Sequence, residues 1–283
     1  MARRIDAHQH YWKLDRGDYG WLTPEAGPIL YRDYAPADLE PELERSGMQQ
    51  TIVVQAAATH AETKFMLELS RQTASIAGVV GWLDFQNPNW KSVLEEFRLY
   101  PKFAGVRVMI QEMKDAFEVL HPQTVEALQY LAEIRLPVDL LIVSHQLEAT
   151  IELLKQVPNL HAVIDHIGKP RIGEGLFEPW ASQMQAIAEQ FPGIYCKLSG
   201  MLTEADHASW TPEQFTAYVR HVVGSFGTGR VMFGSDWPVC LLAGSYTDVC
   251  EVLEAALPGG LTTAELDAVY GGNAAEFYQL QAE

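Results

Sequence analysis

The feature that most constrains this chain is a recurrence. Short runs of β-type residues return eight times with helix-length segments between them: Arg4–His8, Gln50–Gln55, Ile76–Leu83, Phe103–Ile110, Pro137–Val143, Leu160–Asp165, Ile194–Leu198 and Val231–Gly234. Their starts lie roughly 25 to 45 residues apart, as repeated βα units require. Eight such units build either a closed barrel or an open doubly wound sheet. The open sheet usually begins with a glycine-rich phosphate turn after its first strand. Here that strand runs into His8-Gln9-His10 instead. The pattern predicts an α/β fold, a (β/α)8 TIM barrel, with residues 1–283 as a single domain. No Pro/Gly/Ser-rich linker divides the chain, and an apolar content of 48% is ample for one large core.

Between the strands, local signals mark helices. Ala61–Ala74 sets Phe65, Leu67 and Leu69 on a broad apolar face with Glu62 and Lys64 outward. Thr211-Pro-Glu-Gln214 and Thr262-Thr-Ala-Glu265 read as capped helix starts, and Asn87-Pro88 and His121-Pro122 as loop-to-helix boundaries. The stretch from Tyr11 to Pro36 is too long for a plain βα connection. With Trp12, Tyr19, Trp21 and Tyr31 it predicts an ordered loop over the barrel mouth, there either to touch substrate or simply to pack.

Composition excludes several roles. A formal charge of −17 argues against nucleic-acid or anionic-membrane partners, which need clustered Lys and Arg. Cys196, Cys240 and Cys250 lack C-x-x-C spacing and an even count, which favours reduced thiols in the cytoplasm. The first ten residues hold no signal-peptide apolar region, and no apolar run is long enough for a bilayer. The expectation is a cytoplasmic enzyme, and a homodimer is the commonest assembly for such proteins.

Three segments carry chemistry. Ile5-Asp6-Ala7-His8-Gln9-His10 puts two imidazoles on one side of a strand end, able to bind one divalent ion or orient a substrate oxygen. Ala162-Val-Ile-Asp165-His166-Ile-Gly168-Lys169-Pro170 delivers His166 at a strand tip with a sharp exit. Val231-Met-Phe-Gly234-Ser-Asp236-Trp-Pro238 holds a carboxylate that either moves protons or caps a turn. Active sites of this fold lie at the C-terminal strand ends, where all three segments finish.

Together these elements resemble the amidohydrolase superfamily, specifically its amidohydrolase-related (amidohydrolase 2) branch of L-fucono- and L-rhamnono-lactonases. The resemblance runs through "DAHQHYW", "VVQAA", "GVVGWLDF", "AGVRVMIQ", "VIDHIGKP", "CKLSG", "RVMFGSDWPV" and "GGNAAEFYQL", and so covers nearly the whole chain. It implies a metal-dependent-hydrolase-like barrel with His8, His10, His166 and Asp236 as catalytic residues, and as ligands where an ion is bound. Dinuclear members carry a bridging Lys or Glu after strand four, and this strand reads Gly105-Val-Arg107-Val. The His expected after strand five is represented only by His145, two or three residues late, while the strand itself offers Asp139 and Leu141. The resemblance therefore implies at most one divalent ion, zinc first, and catalysis that need not depend on it.

Substrate-binding candidates follow from the same strand ends. Arg107 is a planar, always-charged clamp for a carbonyl or carboxylate oxygen, or else a salt bridge across the mouth. Trp82 and Asp84 end strand three, Lys197 and Ser199 end strand seven, and Trp237 follows Asp236. His145, Lys169 and Tyr19 are further candidates, whereas His60, His121, His161, His207 and His221 read as surface residues. The reaction implied is hydrolysis of a small-molecule sugar lactone to its aldonic acid. Asp236 would activate water, and the histidines (or an ion they hold) with Arg107 would polarise the carbonyl. No G-x-S-x-G elbow is present, which disfavours serine covalent catalysis. The rival chemistry is zinc-dependent, non-oxidative decarboxylation of a muconate-type or aromatic acid, separable by metal removal. A barrel kept only for binding would be expected to lose the Asp or the histidine pair.

Overall fold

The computed structural model describes residues 3–281. Eight parallel strands pair in sequence order: β1 (Ile5–Gln9), β2 (Gln50–Val54), β3 (Ile76–Gly81), β4 (Phe103–Met109), β5 (Val138–Leu141), β6 (Ala162–Ile164), β7 (Ile194–Leu198) and β8 (Val231–Phe233). Most strands end one or two residues before the sequence suggests. Apolar character outlasts the ladder, because Ile110 and Ile142 leave the sheet yet stay buried in the core.

The sheet closes where β8 meets β1. His8 and Trp237 carbonyls accept from the Asp236 and His10 amides at 2.8 and 2.7 Å, and the buried Asp6 carboxylate accepts from the Ser235 amide at 2.8 Å. This seam seats the two ends of the predicted site against one another.

A main helix follows each strand: α1 (Pro36–Ser46), α2 (His60–Gln72), α3 (Trp90–Arg98), α4 (Pro122–Glu133), α5 (Leu147–Gln156), α6 (Trp180–Gln190), α7 (Glu213–Phe226) and α8 (Tyr246–Ala256). Two short helices, α9 (Thr263–Asp267) and α10 (Asn273–Phe277), finish the fold. The Thr262–Glu265 capping box forms as expected. At α7 the helix starts at Glu213, and the Gln214 side chain accepts from the Thr211 amide at 3.0 Å. Among the described residues no helix is long and apolar enough to cross a membrane.

Helical period misplaces Glu62. It is fully buried rather than outward, because Tyr19 from the long first loop donates to its Oε2 at 2.7 Å and the Ala56 amide to its Oε1 at 3.2 Å. Burial pushes this carboxyl up to about 7. The loop from Tyr11 to Pro36 is anchored through that contact and closed on itself by a Trp12–Tyr34 bridge.

Inside the barrel the two ends differ. The N-terminal end is apolar, with Ile5, Ile52, Val80, Val163 and Met232 packed against Phe277 and Tyr278. The C-terminal end is polar.

Candidate active site

The first strand carries the geometry that starts the site. Its register against β2 shifts between Asp6 and Gln9, a bulge. Ala7 packs into the barrel interior while Gln9 Nε2 donates to Thr51 Oγ1 at 3.0 Å. His8 and His10 then share the inner side, Nε2 to Nε2 at 3.2 Å. The outer nitrogen of His10 faces the Val54 carbonyl at 2.8 Å.

At the end of β6 the chain turns through left-handed backbone at His166 (φ 55°), Ile167 (φ 48°) and Lys169 (φ 46°). Non-glycine residues rarely adopt this conformation. His166 Nδ1 meets Ser199 Oγ at 2.9 Å. Gly200 makes that approach possible, since a Cβ there would come within 2.6 Å of the His166 ring. Gly234 does the same for His8, where a Cβ would lie 2.8 Å from the His8 Cβ. Asp236 is itself left-handed (φ 57°).

The structure brings the four predicted residues together. Asp236 Oδ1 lies 3.3 Å from His10 Nε2 and 3.8 Å from the Nε2 atoms of both His8 and His166. Burial alone would raise the Asp236 carboxyl, but His166, a hydrogen bond from His10 and the charge of Lys169 outweigh it and hold it below the ordinary range. Burial drives the imidazoles of His8 and His166 well below theirs. At neutral pH Asp236 is thus held as a carboxylate beside the uncharged imidazoles of His8 and His166.

The donor set fits one divalent ion. Three Nε2 atoms and a carboxylate oxygen converge, and the outer nitrogens of His10 and His166 are already engaged, as ligating histidines require. His8, His166 and Asp236 offer donor atoms within 4.8 Å of one another.

Above the cluster lies a cavity of about 320 Å³ lined by His10, His166, Asp236, Arg107, Lys169 and Gln111, with Trp21, Leu30, Met109 and Leu141 among its apolar walls. Arg107 is held from behind: its Nη2 donates to the Gln55 carbonyl, and its Nη1 lies 3.6 Å from Asp165 Oδ2. Arg107 thus lines the cavity and pairs with Asp165 behind it.

Other candidates lie elsewhere. Lys197 is fully buried beneath His8, out of reach of a ligand in the cavity, because Asp139 and Asp165 pair with it at 2.5 and 3.0 Å. Trp82 packs beside His60, donates its amide to Thr63 Oγ1 in the first turn of α2, and is not among the residues lining the cavity. Asp84 caps the Gln86 amide in the following turn at 3.0 Å. His145 is exposed on the turn after β5, where Gln146 points inward in its place and donates to the Ile110 carbonyl at 3.0 Å. Trp237 is buried against Tyr34 and Tyr11, and Tyr19 is spent on Glu62. His60, His161 and His221 are half-buried rather than superficial, the last two bonded to the Phe277 and Ala181 carbonyls.

Sequence reasoning left Asp165 without a role and assigned none to Trp21 individually. The signal for the former was present: Arg107, Asp139, Asp165 and Lys197 are charged residues inside or at the tip of otherwise apolar strands, and inward charges in a barrel must be paired.

Known proteins resemble this chain over nearly its full length. The L-fucono-1,5-lactonase of Burkholderia ambifaria is 37% identical over 287 residues, spanning 99% of this chain and 97% of that protein. The crystal structure of an amidohydrolase from Burkholderia multivorans with bound zinc superimposes with a TM-score of 0.92 at 35% identity, covering 99% of this chain and 100% of that one. A 2,6-dihydroxybenzoate decarboxylase shares the fold alone, with a TM-score of 0.67 at 12% identity over 99% of this chain and 100% of that one. A family model described as "Amidohydrolase" matches residues 5–280, a span holding all eight strands and every residue of the cluster, and the chain belongs to that family.

Proposed function

We propose that this chain is an enzyme that hydrolyses a sugar-derived lactone, of the L-fucono-1,5-lactone type, to its aldonic acid. The observation that carries the reading is that Asp236 lines the same small cavity as Arg107, with its Oδ1 3.3 Å from His10 Nε2 and 3.8 Å from the Nε2 atoms of His8 and His166. The likeness to an L-fucono-1,5-lactonase over nearly the full length supports the substrate class. A cavity of about 320 Å³ suits one sugar ring rather than an oligosaccharide.

In this mechanism the lactone carbonyl oxygen takes hydrogen bonds from Arg107, whose position is fixed by Gln55 and Asp165. Asp236 accepts a proton from water as the water oxygen bonds to the carbonyl carbon. Arg107 stabilises the tetrahedral oxyanion. That oxyanion re-forms the C=O bond and breaks the ring C–O bond, and protonated Asp236 returns its proton to the departing alkoxide. The products are a hydroxyl and a carboxyl group on one open chain. His8, His10, His166 and Asp236 would hold a divalent ion, which when bound supplies Lewis-acid polarisation and a more acidic water. Lys169 and Gln111, at the cavity wall, meet the ring hydroxyls.

Decarboxylation draws only on a fold-level likeness, and the exposed His145 gives it no added ligand. The test is Asp236→Asn, assayed by acid release from L-fucono-1,5-lactone and related lactones. Turnover should fall by about three orders of magnitude with thermal unfolding unchanged. A variant retaining a tenth or more of wild-type turnover would remove Asp236 from this role.

A further inference from the structure

Beneath the cavity lies a second cluster of donor atoms. His8, Asp139 and Asp165 offer three buried atoms within 4.8 Å of one another, the spacing of a metal-binding triad. Its centre is filled by a side chain. Lys197 Nζ lies 2.5 Å from Asp139 Oδ2, 3.0 Å from Asp165 Oδ1 and 3.1 Å from His8 Nδ1.

We infer that Lys197 is a built-in substitute for a second divalent cation, occupying a carboxylate–carboxylate–imidazole site and thereby limiting the barrel to one exchangeable ion. An ammonium carries three donors and no acceptor, and here two carboxylate oxygens face it while His8 Nδ1, which also lies 3.3 Å from Asp165 Oδ1, completes the enclosure. Of the remaining oxygens of the triad, Asp139 Oδ1 accepts from Tyr278 at 2.8 Å, and Asp165 Oδ2 faces the Arg107 guanidinium at 3.6 Å as an ion pair without a hydrogen bond. The group is therefore charge-balanced, two carboxylates against one ammonium and one guanidinium, and all four side chains are nearly or fully buried. Two oxygens and one imidazole nitrogen are also a donor set that zinc or manganese accepts. Because His8 turns Nδ1 to Lys197 and Nε2 to the mouth, one imidazole joins the two clusters. The inference does not depend on the lactone reading, since its readouts are metal content and thermal stability.

The experiment compares Lys197→Ala with Lys197→Met. Both remove the charge, but only alanine leaves room for an ion. Each protein is equilibrated with zinc or with manganese, dialysed, and its metal counted per chain by elemental analysis, with Tm recorded alongside. Lys197→Ala should hold one more ion per chain than wild type, and metal should raise its Tm. Lys197→Met should gain neither. A Lys197→Ala protein with no extra ion, or no greater metal-dependent Tm rise than Lys197→Met, overturns the inference. So does Lys197→Ala that stays insoluble with metal present. Wild-type protein gives an independent check that needs no variant: it should take up one ion at most, and two per chain would contradict the role of Lys197.

Discussion

The two ends of the barrel interior are built from the same eight strands, yet they are held together by different physics. At the N-terminal end Ile5, Ile52, Val80, Val163 and Met232 pack on Phe277 and Tyr278, and stability there is a matter of filled volume. At the C-terminal end Arg107, Asp139, Asp165, Lys197 and the histidines are equally buried, and the requirement is that every charge has a partner. A defect below should weaken the fold and spare the chemistry of the molecules that remain folded. A defect above should do the reverse.

The sharpest way to break that contrast is Phe277→Ala at the lower end. Deleting a buried ring should cost about 3–5 kcal/mol of unfolding free energy, with kcat per folded molecule within twofold of wild type. Denaturant unfolding and active-site titration report the two quantities, and a large fall in kcat would show that the ends are not separable. At the upper end, Arg107→Met should cost about 2.7–4 kcal/mol of transition-state stabilisation, a hundredfold to thousandfold in kcat, while KM changes less. A change confined to KM would assign Arg107 to ground-state binding alone.

Glu62 lies between these extremes, tying the mouth loop to the wall. Its folded-state pKa of about 7 stands above the ordinary carboxyl value of 4.5. Its contribution is therefore fully present below about pH 4.5 and is lost as the pH rises through 7. Glu62→Gln should remove that slope, so the difference in unfolding free energy between variant and wild type shifts toward the variant by up to about 3 kcal/mol from pH 4.5 to 8. Parallel slopes in urea unfolding would refute the assignment. The smallest effect expected is at Trp21, which lines the cavity while its indole donates to the Ala56 carbonyl at 2.7 Å. Trp21→Ala should raise KM about tenfold, roughly 1.4 kcal/mol, with kcat little changed. An unaltered KM would reduce Trp21 to a packing residue.

The sequence carries the two ends unequally well. The barrel and the meeting of His8, His10, His166 and Asp236 were legible because strand recurrence and strand-tip position follow from local pattern. Depth along the barrel axis does not. Alternation indicates that Lys197 faces inward but not whether it reaches the mouth or stops beneath His8. The same ambiguity offers Trp82 and Asp84 to the cavity in sequence, whereas in the structure Trp82 packs beside His60 and Asp84 caps the Gln86 amide. Glu62 was misread for another reason: its partner Tyr19 is 43 residues away, and helical period says nothing about a loop that folds back. The bulge at Asp6–Gln9 and the close approaches at Gly200 and Gly234 depend on neighbouring strands, so no single segment announces them.

The central claim is that the polar end opens lactones. Its most direct test is acid release, followed with a pH indicator, from L-fucono-1,5-lactone and a panel of sugar and aromatic-derived lactones, with and without chelator. Carbon dioxide release from aromatic and muconate-type acids is measured in parallel. Rapid acid release from at least one sugar lactone is expected, retained in substantial part after chelation, with no carbon dioxide. Carbon dioxide release that chelator abolishes, with every sugar lactone left intact, would contradict it.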